Sequence, residues 1–256
     1  MENENKKSLN MKRIYNILYK GEKSQSFRNI FKEVYGNDYL GGLDGENFIS
    51  MTDLQKIAKN LNINPGETFI DVGCGKGGPG MWIAREIGAN YFGIDISEIG
   101  IEIATSRAKD FSLESKAQFK VGDICGTDLP DNYFHGAIGI DSLGFVSDPL
   151  AAFNEVARIL QKGANFVVTC WEEEQSSSMK DLYFLFHKAG FIIKLIEEIT
   201  DWERRQREVY QKVLESKKIL IKDMGLEAAF IPIMEAKKFL PLLKSMKHVL
   251  VVAKKP

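Results

Sequence analysis

A chain of 256 residues has room for one large domain, or one domain with an elaboration, at roughly 150 residues per domain. Hydrophobic residues at 44% and charged residues at 27% are globular proportions, which argues against long disorder or a fibre. The 34 basic and 35 acidic residues leave a net charge of -1, so no whole-molecule field draws the chain to nucleic acid or to an anionic membrane.

Residues 1–62 have a helical pattern, broken at Tyr35-Gly36-Asn37-Asp38 and at Leu40-Gly41-Gly42-Leu43-Asp44-Gly45. Thr68 to Val72 is a short β-rich run followed by a glycine cluster. Gly80 to Ile87 then carries apolar residues at helical spacing as far as Gly88. Asn90 to Asp95 reads as the next strand and Ser97 to Asp110 as the next helix. Ala117 to Val121 and Gly136 to Ile140 are strands, Pro149 to Leu160 is a helix, and Asn165 to Cys170 is a fifth strand. Met179 to Ala189 reads as helix, Phe191 to Ile196 as a sixth strand and His248 to Ala253 as a seventh. Between the last two, residues 200–246 are helical, with Trp202, Tyr210, Leu214 and Ile219 spaced to share a face. Such alternation implies right-handed crossovers. The expected fold is therefore α/β: a doubly wound, mostly parallel seven-stranded sheet in residues 63–256. A helical N-terminal extension (1–62) and a helical insertion (200–246) would cover its open end.

Cys74, Cys125 and Cys170 lie far apart, which suits a reducing compartment and gives no metal-site spacing. The opening lysines have no apolar stretch behind them, and no run nears the ~18 residues that span a bilayer. A cytoplasmic protein without membrane insertion is expected; the oligomeric state stays open.

The chemistry concentrates at Asp71-Val-Gly73-Cys-Gly75-Lys-Gly77-Gly78, where a strand turns into a helix. Glycines there let backbone approach a ligand too closely for a β-carbon. Gly73, Gly75 and Gly78 fit the G-x-G-x-x-G fingerprint, and Asp95 follows at a ribose binder's distance. Asp71, Asp95 and Asp123 each close an apolar run, so they should gather at the carboxyl edge of the sheet. That much acid suits a cationic ligand without pyrophosphate. The plainer alternative is that the aspartates cap turns and helices.

Phe69-Ile-Asp-Val-Gly-Cys-Gly-Lys-Gly77, Gly93-Ile-Asp-Ile-Ser97, Val121-Gly-Asp-Ile124 and Leu160-Gln-Lys-Gly163 together resemble the motifs of class I S-adenosylmethionine-dependent methyltransferases, a Rossmann-like family. Gly-Cys-Gly-x-Gly-Gly and the upstream Gly41-Gly42 resemble the small-molecule branch that includes sterol and quinone methyltransferases. The resemblance implies S-adenosylmethionine as cofactor and a small-molecule methyl acceptor, with no nucleic-acid partner. It gives Gly73, Gly75 and Gly77 the methionyl part, with Asp71 ordering loop and amino group. Asp95 would take the ribose hydroxyls, Ile96 an adenine face, and Asp123 and the Ile124 amide the adenine edge. Asp141 and Ser142 would face the sulfonium and the acceptor. Two departures stand out: Gly100 where relatives often carry a ribose-binding glutamine, and Phe145 near where many place a histidine.

The acceptor pocket is expected from the helical extensions, with Tyr19, Tyr39, Trp171 and Trp202 as candidate contacts. Asp141 is the candidate catalytic acid-base, whereas His135, His187 and His248 read as packing or surface. The basic stretch from Glu203 to Lys218 reads as a solvated helix with internal ion pairs. Glu172-Glu-Glu174 reads as a solvated loop, with capture of an amine as its alternative. Ile140-Asp-Ser-Leu-Gly-Phe145 lacks the Asn/Asp-Pro-Pro-aromatic motif of nucleobase methylases. Two other readings compete. One is a nicotinamide oxidoreductase, which needs a Tyr-x-x-x-Lys pair that does not follow the glycine turn; the other is a non-catalytic cofactor-binding partner.

Overall fold

The computed structural model describes residues 2–20, 24–43, 47–173 and 178–256. Helices α1 (Glu2–Lys20), α2 (Gln25–Tyr35) and α3 (Met51–Leu61) precede the sheet. Its strands are β1 (Thr68–Val72), β2 (Asn90–Asp95), β3 (Ala117–Val121), β4 (Phe134–Ile140), β5 (Leu160–Glu173), β6 (Ile192–Glu198) and β7 (Met246–Lys254). The crossovers are α4 (Gly78–Ile87), α5 (Glu98–Arg107), α6 (Pro149–Ile159) and α7 (Ser178–Lys188). Helices α8 (Trp202–Glu215), α9 (Lys217–Met224) and α10 (Leu226–Phe239) lie between β6 and β7. Asp44, Gly45 and Glu174 fall outside the described residues.

The strand order is β3-β2-β1-β4-β5-β7-β6, with only β7 antiparallel to its neighbours. Parallel strands are buried on both faces, so alternate residues feed two separate cores. Phe69, Tyr91, Ile138 and Val167 pack with Leu54 and Ile57 of α3 and Met81 of α4. Ile70, Val72 and Ile94 pack on the other face with Phe153 and Val156 of α6 and Phe186 of α7. Strand order reverses between β1 and β4, and at such a switch point an open sheet leaves a crevice beyond its carboxyl ends.

Three local expectations are corrected. Ile219 is 55% exposed while Trp202, Val209, Tyr210 and Val213 are buried. The helix breaks at Ser216, and α9 restarts the phase. Arg204 and Arg207 form the expected outward ion pairs with Asp201, Glu208 and Glu203. Arg205 turns inward instead, 6% exposed, with its guanidinium 3.2 Å from Asp53 and 4.9 Å from the Tyr35 ring centroid. Insertion and extension are thereby tied together. Finally, β5 runs on to Glu173, and Trp171 and Glu172 pair with His248 and Lys247 of β7, so Glu172 is a buried strand residue and not a solvated loop.

Candidate active site

The loop leaving β1 explains its glycines. Gly73 sits at φ 76°, and a β-carbon there would collide with the Ser142 side chain. Gly75 sits at φ 52°, and its β-carbon would lie 2.6 Å from the Tyr19 hydroxyl. The Gly75 amide donates to one Asp95 oxygen at 2.8 Å and the Ser97 amide to the other at 2.8 Å. Asp95 thus locks the first loop onto the end of β2. Burial raises its carboxyl above the usual range, against the lowering effect of the Ser97, Gly75 and Ile96 amides. Asp71 is buried beside it and accepts the Tyr91 hydroxyl at 3.0 Å. Burial pushes Asp71 up to about 7; Tyr91 works against this and the Asp95 charge adds to it. Asp123, just past β3, accepts the Cys125 amide at 2.9 Å.

Asp71, Gly73, Gly75, Gly77, Asp95, Ile96, Asp123, Ile124, Asp141 and Ser142 line one crevice. Every candidate cofactor contact is therefore on a common wall. Lys76 also lines it, its ammonium pushed well below the ordinary lysine range by burial first and Arg107 second, beside four aspartates on the same lining. The Ser142 hydroxyl donates to the Val72 carbonyl at 2.6 Å, pinning β4's exit to β1's. Helix α1 forms the outer wall with Met11, Tyr15 and Tyr19. It accounts for Gly100 as well: a β-carbon there would come 3.0 Å from the Tyr19 ring. Asn16 from the same helix accepts the Ser97 hydroxyl at 2.5 Å.

A second cavity of about 620 Å³ adjoins the crevice. Met11, Tyr15, Asp141 and Phe145 line both, with the Tyr15 and Phe145 rings edge to face at 5.9 Å. Its walls include Phe31, Phe48, Trp171, Tyr210 and Phe239, together with Glu172 and Glu235. Of the four residues expected to touch the acceptor, Trp171 lines this cavity and Tyr19 lines the crevice instead. Tyr39 and Trp202 line neither. Trp202 stands behind Trp171, edge to face at 5.3 Å, its indole N–H donating to Glu198 at 2.7 Å. Phe31 and Phe48 were not legible as cavity residues, because each reads in sequence as ordinary helix-face or loop packing.

Asp141 stands where the two cavities meet. It holds φ 53°, a region that non-glycine residues occupy only when their surroundings fix them. Here Thr169 donates its hydroxyl to Oδ1 at 2.7 Å, the Phe48 amide donates to Oδ2 at 3.1 Å, and His248 Nε2 lies 2.7 Å from Oδ1. Burial raises the Asp141 carboxyl, but the charge and hydrogen bond of His248, with Thr169 and Phe48, outweigh it and hold the group below the usual range. His248 is fully buried and stacks on Trp171 at 4.0 Å and 8°. Sequence reasoning missed this role, because it depends on the pairing of β5 with β7.

A family model described as a methyltransferase domain matches residues 63–223. The chain belongs to this methyltransferase family. Sterol 24-C-methyltransferase ERG6B of Gibberella zeae is 33% identical over 115 residues, 45% of this chain and 30% of that protein, so the methyltransferase chain spans under a third of that relative's length. Among solved structures, the [4+2]-cyclase SpnF superposes with a TM-score of 0.77 at 21% identity over 97% of both chains. Phosphoethanolamine N-methyltransferase 2 of Haemonchus contortus, in complex with S-adenosylmethionine, gives 0.69 at 19% identity over 90% of this chain and 56% of that one.

The family's cofactor, S-adenosylmethionine, suits this crevice. Its lining has four aspartates against one lysine, and a loop whose close approach a β-carbon would block. Acidic surroundings of this kind favour a cationic nucleoside over a pyrophosphate.

Proposed function

We propose that this chain transfers a methyl group from S-adenosylmethionine to a small-molecule acceptor seated in the second cavity. The observation that carries the reading is the junction of the two cavities at Met11, Tyr15, Asp141 and Phe145. When bound, the cofactor supplies an electrophilic methyl group on a positively charged sulfur, so the protein's task is alignment. Holding a lone pair in line can contribute effective molarities on the order of 10⁵ M or more. Asp95 holds the ribose, Asp123 and the Ile124 amide the adenine edge, Ile96 an adenine face, and the Gly73–Gly77 loop with Asp71 the methionyl end. Asp141 works by charge and position, since a carboxyl held below its usual range is a poor proton acceptor. Residues 1–62 and 200–246 act as the acceptor's cover, supported by Tyr15 of α1, Tyr210 of α8 and Phe239 of α10 in the cavity wall.

The acceptor named for the Haemonchus enzyme carries a phosphate. Among the described residues lining the second cavity here, none is Lys, Arg or His, so a phosphorylated acceptor is not the one we propose. A cytoplasmic location without nucleic-acid partners belongs to the same reading, supported by three unpaired cysteines. No described helix is long and apolar enough to cross a membrane.

Isothermal titration with S-adenosylmethionine and with a nicotinamide dinucleotide tests the cofactor; tight binding of the second alone sinks the proposal. Because a cyclase shares the fold over its length, turnover must be read as S-adenosylhomocysteine released across an acceptor panel.

A further inference from the structure

The wall of the second cavity includes a buried acidic group that no described donor holds. Glu172 is 3% exposed, and among the described residues neither of its carboxylate oxygens has a hydrogen-bond partner. The other carboxylates on that wall are engaged: Asp141 by three donors, and Glu235 by the Tyr210 hydroxyl at 2.8 Å. Buried charges are ordinarily paired or hydrogen-bonded, because desolvation is otherwise uncompensated. Burial holds the Glu172 carboxyl above the usual range, and Lys247, its neighbour across the β5–β7 ladder, offsets this only in part. Glu172 is thus a buried cavity-wall carboxyl whose two oxygens accept no hydrogen bond among the described residues.

The rest of the wall describes the body that carries the donor. Phe48 sits at the centre of an aromatic cluster, edge to face with Trp171 at 6.0 Å and with Tyr210 at 5.8 Å, and Phe31 lies 5.6 Å from it. Aromatic faces attract cations as well as hydrocarbon. The cavity's 620 Å³ is in the range of sites for drug-sized ligands, roughly 300–1,000 Å³, so an ethanolamine-sized acceptor would leave most of it empty.

On the reading of this chain as a methyltransferase, we propose that its acceptor is a bulky, mainly apolar amine whose ammonium group pairs with Glu172 while its hydrocarbon body fills the aromatic cavity. A neutral isoprenoid or flat ring would leave the carboxylate unpaired. An anionic acceptor would meet Asp141, Glu172 and Glu235 with no cationic side chain among the described lining residues.

The test is calorimetric titration of the full chain with three probes of one shape: 2-naphthylethylamine, the matching alcohol and the alcohol's phosphate monoester. The amine should bind ~10-fold or more tighter than the alcohol, the scale of a hydrogen bond to a charged group, and the phosphate ester most weakly. In Glu172→Gln, an isosteric change that removes an uncompensated charge, the amine should fall to the alcohol's affinity while the alcohol is unchanged. Equal binding of amine and alcohol by the wild type, tightest binding of the phosphate ester, or an amine preference that survives in Glu172→Gln would each overturn the assignment. S-adenosylhomocysteine, titrated in parallel, reports on the crevice alone. Its failure to bind the wild type would sink the methyltransferase reading and leave the amine preference measurable, whereas normal binding without amine preference would sink only the acceptor class.

Discussion

The crevice and the cavity beside it share a wall but are built on different principles. The crevice is made of chain turns: amides of Gly75, Ser97 and Cys125 held by Asp95 and Asp123, with glycines where backbone must pass close. The cavity draws most of its lining residues from α1, α2, β5, α8 and α10. Backbone geometry recognises one ligand and tolerates little change, whereas a side-chain wall can be re-cut residue by residue around different acceptors. One fold can therefore keep its cofactor while its second ligand varies.

Helix α1 belongs to both sites, and removing it should produce the largest effect. Without residues 1–20, Met11 and Tyr15 vanish from both linings and Tyr19 from the crevice. Turnover should drop ~100-fold or more, as expected when reacting groups lose their fixed placement. S-adenosylhomocysteine affinity, read by calorimetry, should fall much less, because Asp95, Asp123 and the glycine loop remain. Full turnover in the truncated chain would show that α1 is no wall of the acceptor site.

Asp95→Ala separates the two sites from the other side. Both carboxylate oxygens hold backbone amides, and the proposed ribose contact uses their remaining lone pairs. Cofactor affinity should weaken by at least ~1.5 kcal/mol, a hydrogen bond to a charged group. Binding of an uncharged aromatic probe to the second cavity should not change. Equal loss at both sites would mean that the variant has disturbed the fold and not the ribose contact.

The crevice could be read from sequence because its determinants are local. Glycines at a strand-to-helix turn and acids at successive strand ends remain in register whatever surrounds them, so Asp71, Asp95 and Asp123 share one wall. The cavity resisted such reading for a physical reason. Phe31, Phe48, Tyr210 and Phe239 are apolar residues on helices and a loop, and only tertiary packing decides whether they face a core or a void. Glu172 was misread because acidic residues after a strand ordinarily reach solvent. Extension of β5 to Glu173 against β7 puts it inside. His248 reads in sequence as packing or surface, and its contact with Asp141 is hidden for the same reason, since it needs a strand that arrives last in the chain.

His248 lines neither the crevice nor the cavity, so His248→Gln probes the boundary between the sites. Asp141 would lose the neighbour at 2.7 Å and Trp171 its stacked ring. Turnover should fall by roughly fivefold, somewhat less than the loss of a full charged hydrogen bond, with cofactor affinity unchanged. The pH profile should shift upward as well, because burial, which raises the Asp141 carboxyl, then loses its main counterweight. A simple loss of stability with an unmoved profile would make His248 a packing residue only.

The smallest effect concerns Asp71 and pH. Its carboxyl is pushed up to about 7 in the ligand-free fold, against about 3.9 in an unfolded chain. The folded state therefore keeps a proton that the unfolded state has lost, and ligand-free stability should decline as pH rises from ~4 through ~7. A cationic ligand near Asp71 favours the ionised form, so binding below that pKa must expel the proton. Cofactor affinity should thus fall by ~3-fold between about pH 7.5 and about pH 6.5, with proton release visible as a dependence of the binding enthalpy on the buffer. In Asp71→Asn both trends should flatten, and the ligand-free protein should melt higher than wild type at pH ~8. An affinity indifferent to pH would place Asp71 outside the ligand's field and leave it only the Tyr91 hydroxyl to hold. Binding of the uncharged probe in the second cavity should stay level across the same range, because no proton need leave Asp71 for it.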